Sequence, residues 1–422
     1  MTTVVVTGGG VIGLSIAWRA AQRGFSVTLA DPSPGQGASY AAAGMLTPVS
    51  EATHTEKELF ALGAASLGRY PAFAAELAAA SGEPASFRTA GTLLIGYDAD
   101  DLAVIDELYA LQDSLGAGGQ RLTARECRRL EPMLDPSVRG GLLAEADGSV
   151  DPRQLTRALL AAAEQAGVRL IRQPVQGILT GPGDRWPGDG GPGDGGPGDG
   201  GPGDGGPGDG GLGRRRAGVG GGTDQPGSER AGGVRLADGS TITADWTVLA
   251  AGWNSAAIEG LPADCVPPVR PVKGQVARLR APDGFLRRTV RGIVRGSSVY
   301  LVPRDNGELV LGATQEDLGP DTRVTAGGLW ELLRDARALI PGITELEFTE
   351  AVARLRPGTP DNAPVLGPCR MAGLVLATGH FRNGVLLTPV TADIITRYLE
   401  TGQMPEIAAH FTIDRFLGGR PE

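Results

Sequence analysis

The apolar positions of this chain fall into two rhythms. Thr3-Val4-Val5-Val6-Thr7 is a short β-branched run without polar alternation, the pattern of a strand covered on both faces. A glycine-rich turn follows, and residues 14–22 then take helical spacing, closed by Gly24. Ser26-Val27-Thr28-Leu29-Ala30-Asp31 reads as a second strand that ends in an acid. The same rhythm returns in a helix over 153–166, strands over 168–171 and 173–178, a hairpin of 233–236 with 241–244 around Asp238-Gly239, and a buried strand over 247–253. The second rhythm is alternating and occupies 92–96, 275–279 and 299–303, with helices over 100–116 and 326–338. The pattern predicts an α/β nucleotide-type domain (1–85, 145–180, 233–262 and 352–422) interleaved with a mainly antiparallel-sheet, α+β cap (86–144 and 263–351).

The first turn carries chemistry. Gly8, Gly10 and Gly13 fit G-x-G-x-x-G between a strand and a helix. The first permits the tight turn, the second lets backbone approach a pyrophosphate, and the third lets helix pack on strand. Val11 and Ile12 then open the helix, whose free N–H groups and partial positive charge suit phosphates. Asp31 closes the second strand where a carboxylate accepts from ribose hydroxyls. This strand, turn, helix, strand and acid in register predict a Rossmann-like dinucleotide site. Ala250-Ala251-Gly252 ends another buried strand and is placed to pass beneath the cofactor; a plain tight turn is the other reading.

Composition narrows the picture. The chain has 422 residues, 41% of them hydrophobic, enough for two sizeable cores. A net charge of −9 argues against nucleic acid and anionic membranes as partners. No basic leader and no long apolar run is present, so the sequence suggests a cytoplasmic protein without a membrane span. Cys127, Cys265 and Cys369 are isolated, the pattern of reduced thiols rather than a disulfide framework or zinc site. With only His54, His380 and His410, a metal centre or a Ser-His-Asp triad is not expected. Residues 187–211 are five copies of Pro-Gly-Asp-Gly-Gly, which offer nothing to bury, and 181–232 is expected to be a disordered insertion. Calcium-binding glycine–aspartate repeats carry a periodic apolar residue that this tract lacks.

A second glycine-rich turn lies far from the first: Gly379-His380-Phe381-Arg382-Asn383-Gly384-Val385-Leu386-Leu387. Together with the first turn it suggests a long cofactor held from both ends of the chain. With Gly37-Ala38-Ser39-Tyr40-Ala41-Ala42-Ala43-Gly44-Met45-Leu46 and Leu355-Arg356-Pro357-Gly358-Thr359-Pro360-Asp361, these segments resemble the FAD-dependent D-amino acid oxidase superfamily, and within it the bacterial glycine oxidases of thiamine biosynthesis. The resemblance covers nearly the whole chain outside the repeat tract.

That resemblance implies noncovalent FAD, because Cys369 lies well before the turn near which covalent members attach their flavin. It implies FAD contacts from Ser39, Ala42, Ala43, Gly44, Met45, Val175, Ala251 and Gly252, and from Arg382, Asn383, Gly384, Val385 and Leu386. Arg356 is expected to clamp the substrate carboxylate, a task suited to a planar guanidinium fork. Tyr300 is expected to assist it, Arg382 to stand beside flavin and substrate, and Met45 to limit side-chain room. The backbone N–H groups of Asn383, Gly384 and Val385, read as the start of a helix running through 391–395, are expected to face the flavin ring. Where glycine oxidases can present a histidine, two residues before the tyrosine, this chain has Ser298. The implied substrates are glycine and O2, and the implied assembly is a homotetramer. An oxidase for D-amino acids or sarcosine, a quinone-coupled D-amino acid dehydrogenase, and a flavoprotein without amine oxidation remain alternatives.

Overall fold

The computed structural model describes residues 1–182 and 229–417. The repeat tract 187–211 lies outside the described residues. The expected insertion limits of 181–232 are too wide, because strands Val175–Pro182 and Glu229–Leu236 pair antiparallel with Gly181 opposite Arg230. Their ends stay in the ladder because it satisfies their backbone groups.

One sheet has six strands, ordered Val365–Pro368, Leu374–Thr378, Trp246–Leu249, Thr3–Thr7, Ser26–Ala30 and Arg169–Ile171. Its inner pairs are parallel, with Val5 between Thr28 and Thr247. Val4 and Val6 join the helices Val11–Gln22, Pro152–Gln165 and Thr388–Thr401 in one core, while Val5 joins a core with Val234 and Leu236 of the three-stranded sheet on the other side. Burial on both faces is why that run is apolar without alternation. The expected helix over 153–166 forms as Pro152–Gln165, capped by Asp151, whose side chain accepts the N–H groups of Arg153 and Gln154.

An eight-stranded sheet forms the cap, ordered Glu347–Gly358, Arg270–Arg280, Glu308–Gly312, Ser297–Pro303, Thr289–Val294, Thr92–Gly96, Gly140–Ala144 and Gln120–Thr123. It is antiparallel except where Thr289–Val294 runs parallel to Thr92–Gly96. Leu93, Ala277, Leu301 and Leu311 pack with Leu332 and Leu339 of helix Ala326–Leu339 in a separate core. Strand Glu347–Gly358 pairs with Arg270–Arg280 along its length, so it crosses the expected boundary at 352 and Arg356 belongs to the cap sheet.

Two elements differ from the sequence pattern. Helix Lys57–Ser81, with Pro71 inside it, was not foreseen; it buries Leu59, Leu62, Tyr70, Phe73 and Leu77 against the nucleotide-domain core. The C-terminal helix begins at Thr388, not at 383. Residues Phe381–Asn383 form a short 3-10 turn, in which Asn383 N–H donates to His380 O at 2.8 Å, so that group is committed within the turn.

Candidate functional site

The glycines of the first turn are held by close approach. Gly8 has φ +101°, and a Cβ there would lie 2.4 Å from Ala250 O. A Cβ on Gly13 would lie 1.8 Å from Gly8 O, so only glycine lets the helix sit this near the strand. Helix Val11–Gln22 has Gly10 as its N-cap and no acid in its first turn, which leaves its positive end for an anion. Val11 N–H donates to Ser39 Oγ at 3.2 Å. The Asp31 carboxylate accepts Gly9 N–H and Ser33 N–H, each at 2.7 Å, which orients it and leaves further lone pairs on both oxygens.

These residues form one end of a continuous cavity of about 1480 Å³. Gly8, Gly10, Val11, Ile12, Asp31 and Ser39 line that end. Its volume suits a dinucleotide with a small molecule beside it. In the middle, Ala42, Ala43 and Gly44 form the wall, with Val175, Ala251 and Gly252 also on it. Gly44 has φ +70°, and a Cβ there would lie 1.9 Å from Val150 O. Met45 pairs with Ser149, and Val150 N–H donates to Gly44 O at 2.9 Å. From the cap, the buried Arg304 donates to Val150 O at 2.7 Å and also to Ala43 O. Burial lowers the Arg304 pKa to about 10, so it is still a cation at neutral pH.

Gly384 and Val385 line the cavity from the C-terminal turn. Helix Lys57–Ser81 fixes that turn: Tyr70 Oη donates to Val385 O at 2.5 Å and Ser66 Oγ to Leu386 O at 2.6 Å. Leu386 itself points into the core beside Gly63, and Asn383 and Gly13 are buried off the cavity wall.

The far end holds Arg356, Tyr300, Arg382, Met45 and Ser298. Arg356 Nη1 donates to Thr314 O at 3.1 Å and Lys273 O at 3.4 Å; its side chain also meets the Tyr300 hydroxyl, and among the described residues no carboxylate pairs with it. Two glycines make room for these side chains. A Cβ on Gly274 would lie 2.3 Å from Arg356 Nη1, and one on Gly312 would lie 2.4 Å from Tyr300 Oη. Withdrawal from water raises the Tyr300 pKa, against the pull of the Arg356 charge, so the phenol stays protonated and can donate. Arg382 is differently placed: Nη2 bonds Glu56 Oε2 at 2.5 Å, and Nε lies 4.0 Å from Glu51 Oε2. Glu51 also meets Arg291 Nη2 at 3.3 Å. His380 is buried on the wall, bonds Thr391 Oγ1 at 3.1 Å, and is held neutral by burial, its pKa near 3.

The sequence reading missed Glu51, Glu56, Arg291, Gly274 and Gly312. Gly274 within strand Arg270–Arg280 and Gly312 at the end of strand Glu308–Gly312 offered only a glycine in a strand as a signal. Among the described residues no cluster of histidine, cysteine and acid side chains is arranged to hold a metal, and no helix is long and apolar enough to cross a membrane.

Comparison with known proteins agrees with this geometry. Residues 3–195 and 215–398 match the family described as DAO, FAD dependent oxidoreductase. The chain is 31% identical over 416 residues to the bifunctional protein ThiO/ThiG of Trichormus variabilis, covering 98% of this chain and 55% of that protein. It thus spans about half the length of the bifunctional relatives it matches. It is 30% identical over 419 residues to the glycine oxidase of Geobacillus kaustophilus, covering 98% of this chain and 97% of that one. The crystal structure of glycine oxidase from Geobacillus kaustophilus superposes with a TM-score of 0.79 at 28% identity, covering 98% and 99% of the two chains.

Proposed function

The chain belongs to the DAO family of FAD-dependent oxidoreductases, and from that premise we propose that it is a glycine oxidase. In this reading glycine, O2 and water give glyoxylate, ammonia and H2O2, with iminoacetate as the first product and a supply of it for thiazole synthesis. One observation carries the proposal. Arg356 presents a guanidinium free of any carboxylate, beside a protonated Tyr300, at the opposite end of the cavity from the glycine cradle.

The cradle of Gly8, Gly10 and the helix N-terminus fits the FAD pyrophosphate, and Asp31 fits its ribose. Bound without a covalent link, FAD supplies a two-electron acceptor that O2 reoxidises. The protein's part is placement. Arg356 grips the substrate carboxylate through two charge-assisted hydrogen bonds, and the Tyr300 phenol donates a third. Met45, which packs with Tyr300 on the apolar cluster of Ala43, Val302 and Val310, restricts the room left for a substrate side chain. Arg382, its charge balanced by Glu56, borders the flavin and substrate. Gly384 and Val385 border the ring from the C-terminal turn. A histidine base has no part in this reading, consistent with a His380 that stays neutral. Free Cys127, Cys265 and Cys369 fit a cytoplasmic enzyme, and family resemblance suggests a homotetramer.

Oxygen uptake with glycine, sarcosine and D-alanine, read together with peroxide and glyoxylate, tests the proposal. It requires the highest kcat/KM for glycine and one peroxide per glyoxylate. Uptake with D-alanine alone contradicts it, as does glycine turnover that needs a quinone and makes no peroxide.

A further inference from the structure

The turn after Met45-Leu46 is held by side chains from three other segments. Asp147 lies between the strands Gly140–Ala144 and Gly148–Ser149 and is wholly buried. Its Oδ1 accepts Val49 N–H and its Oδ2 accepts Ser50 N–H, each at 3.2 Å. The two carbonyls of the same turn are also held: Gln112 Nε2 donates to Val49 O at 2.9 Å, and Arg291 Nη1 donates to Ser50 O at 2.8 Å. The next residue is Glu51, which faces Arg291 at 3.3 Å and Arg382 at 4.0 Å. Ser50, Glu51, Ala52 and Thr53 all line the substrate end of the cavity.

We propose that Asp147 is a positioning residue for the substrate end: its ionised carboxylate fixes the Val49–Ser50 turn and so holds Glu51 between Arg291 and Arg382, and ligand affinity falls when that carboxyl takes up a proton. The inference rests on the reading of this cavity end as an amino acid site. An ionised carboxylate accepts at both oxygens, whereas a carboxylic acid presents an O–H to one of two amide N–H groups and loses that bond. No cation lies within salt-bridge distance of Asp147 among the described residues. The charged groups facing the turn are Arg291 from strand Thr289–Val294 and Glu51 of the turn itself; helix Ala99–Ser114 contributes neutral Gln112, and Glu145 beside Asp147 is exposed. Burial outweighs the Ser50 and Val49 hydrogen bonds and the Arg291 field, which brings the Asp147 pKa up to about 7. The proton therefore exchanges near neutral pH.

The test uses the flavin-loaded enzyme and acetate, a carboxylate with no amine to oxidise, titrated by its effect on flavin absorbance between pH 5.5 and 8.5. The wild-type dissociation constant should rise about tenfold from pH 8 to pH 6, the change expected when one group near pH 7 must be ionised for tight binding. Asp147→Asn should bind weakly throughout and lack the transition. A wild-type constant independent of pH, or a variant that keeps the transition, overturns the proposal. Melting temperature gives a readout apart from the ligand. Between the unfolded value near 4 and the folded value near 7 the native state binds the extra proton, so this contribution is full below about pH 4 and is lost as pH rises through 7. Asp147→Asn should flatten that slope, and an unchanged slope overturns the proposal. Absence of acetate binding at every pH in the wild type would instead remove the amino acid reading of the site, leaving the melting slope to decide on Asp147. If the variant does not fold, the wild-type titration decides.

Discussion

At the scale of single residues the site depends on what is missing beside Arg356 as much as on the arginine. Arg382 and Arg291 each have a glutamate, while Arg356 meets only backbone carbonyls and the Tyr300 hydroxyl among the described residues. Truncating it should therefore fall on substrate binding. Arg356→Ala is expected to raise the KM for glycine tens-fold or more, on the order of 2–3 kcal/mol for a charge-assisted pair. Gly274→Ala should reproduce much of this without touching the arginine, because its Cβ would lie 2.3 Å from Nη1 and push the guanidinium aside. Steady-state kinetics on both variants checks this, and an unchanged KM in both would remove Arg356 from the site. The arginine was legible in the sequence through Leu355-Arg356-Pro357-Gly358, but Gly274 was not. Their meeting depends on the register that sets Val272 opposite Arg356, which no local pattern encodes.

At the scale of elements, the strand–turn–helix at the N-terminus was legible because its cause is local: a run covered on both faces, then glycines where backbone meets backbone. Gly13 shows how tight that is, since a Cβ there would lie 1.8 Å from Gly8 O. Neither partner can yield without moving the helix off the strand. Gly13→Ala should thus cost the enzyme its cofactor, with a ratio of flavin to protein absorbance well below that of the wild type after purification. Full flavin content would contradict the close-packing argument. The C-terminal turn was harder to read. Its glycines and arginine were recognisable, but the helix begins at Thr388, and the turn is held by Ser66 and Tyr70. Those come from a proline-containing helix whose apolar residues gave no clear prediction. The acids of residues 51–56 looked like ordinary surface charge because their partners, Arg291 and Arg382, are distant in sequence.

At the scale of the whole molecule, Gly8 follows a strand of the six-stranded sheet and Arg356 lies in the eight-stranded one, and a single cavity is lined by both. The repeat tract joins strands whose ends are already paired, Gly181 with Arg230. Shortening a connection between fixed ends changes loop entropy only slowly with length, by roughly 0.6 kcal/mol for each halving. Deleting 187–211 should leave flavin content, turnover and melting temperature close to wild type, and loss of either flavin or turnover would show that the tract has a role in the fold or the site. This cavity is expected to bring glycine against FAD. Anaerobic stopped-flow mixing of the holoenzyme with glycine, followed at the flavin absorbance band, tests it most directly. Bleaching should saturate with glycine and reverse with peroxide formation on admission of air, and should need far higher glycine in Arg356→Ala. A flavin that stays oxidised in the presence of glycine would contradict it.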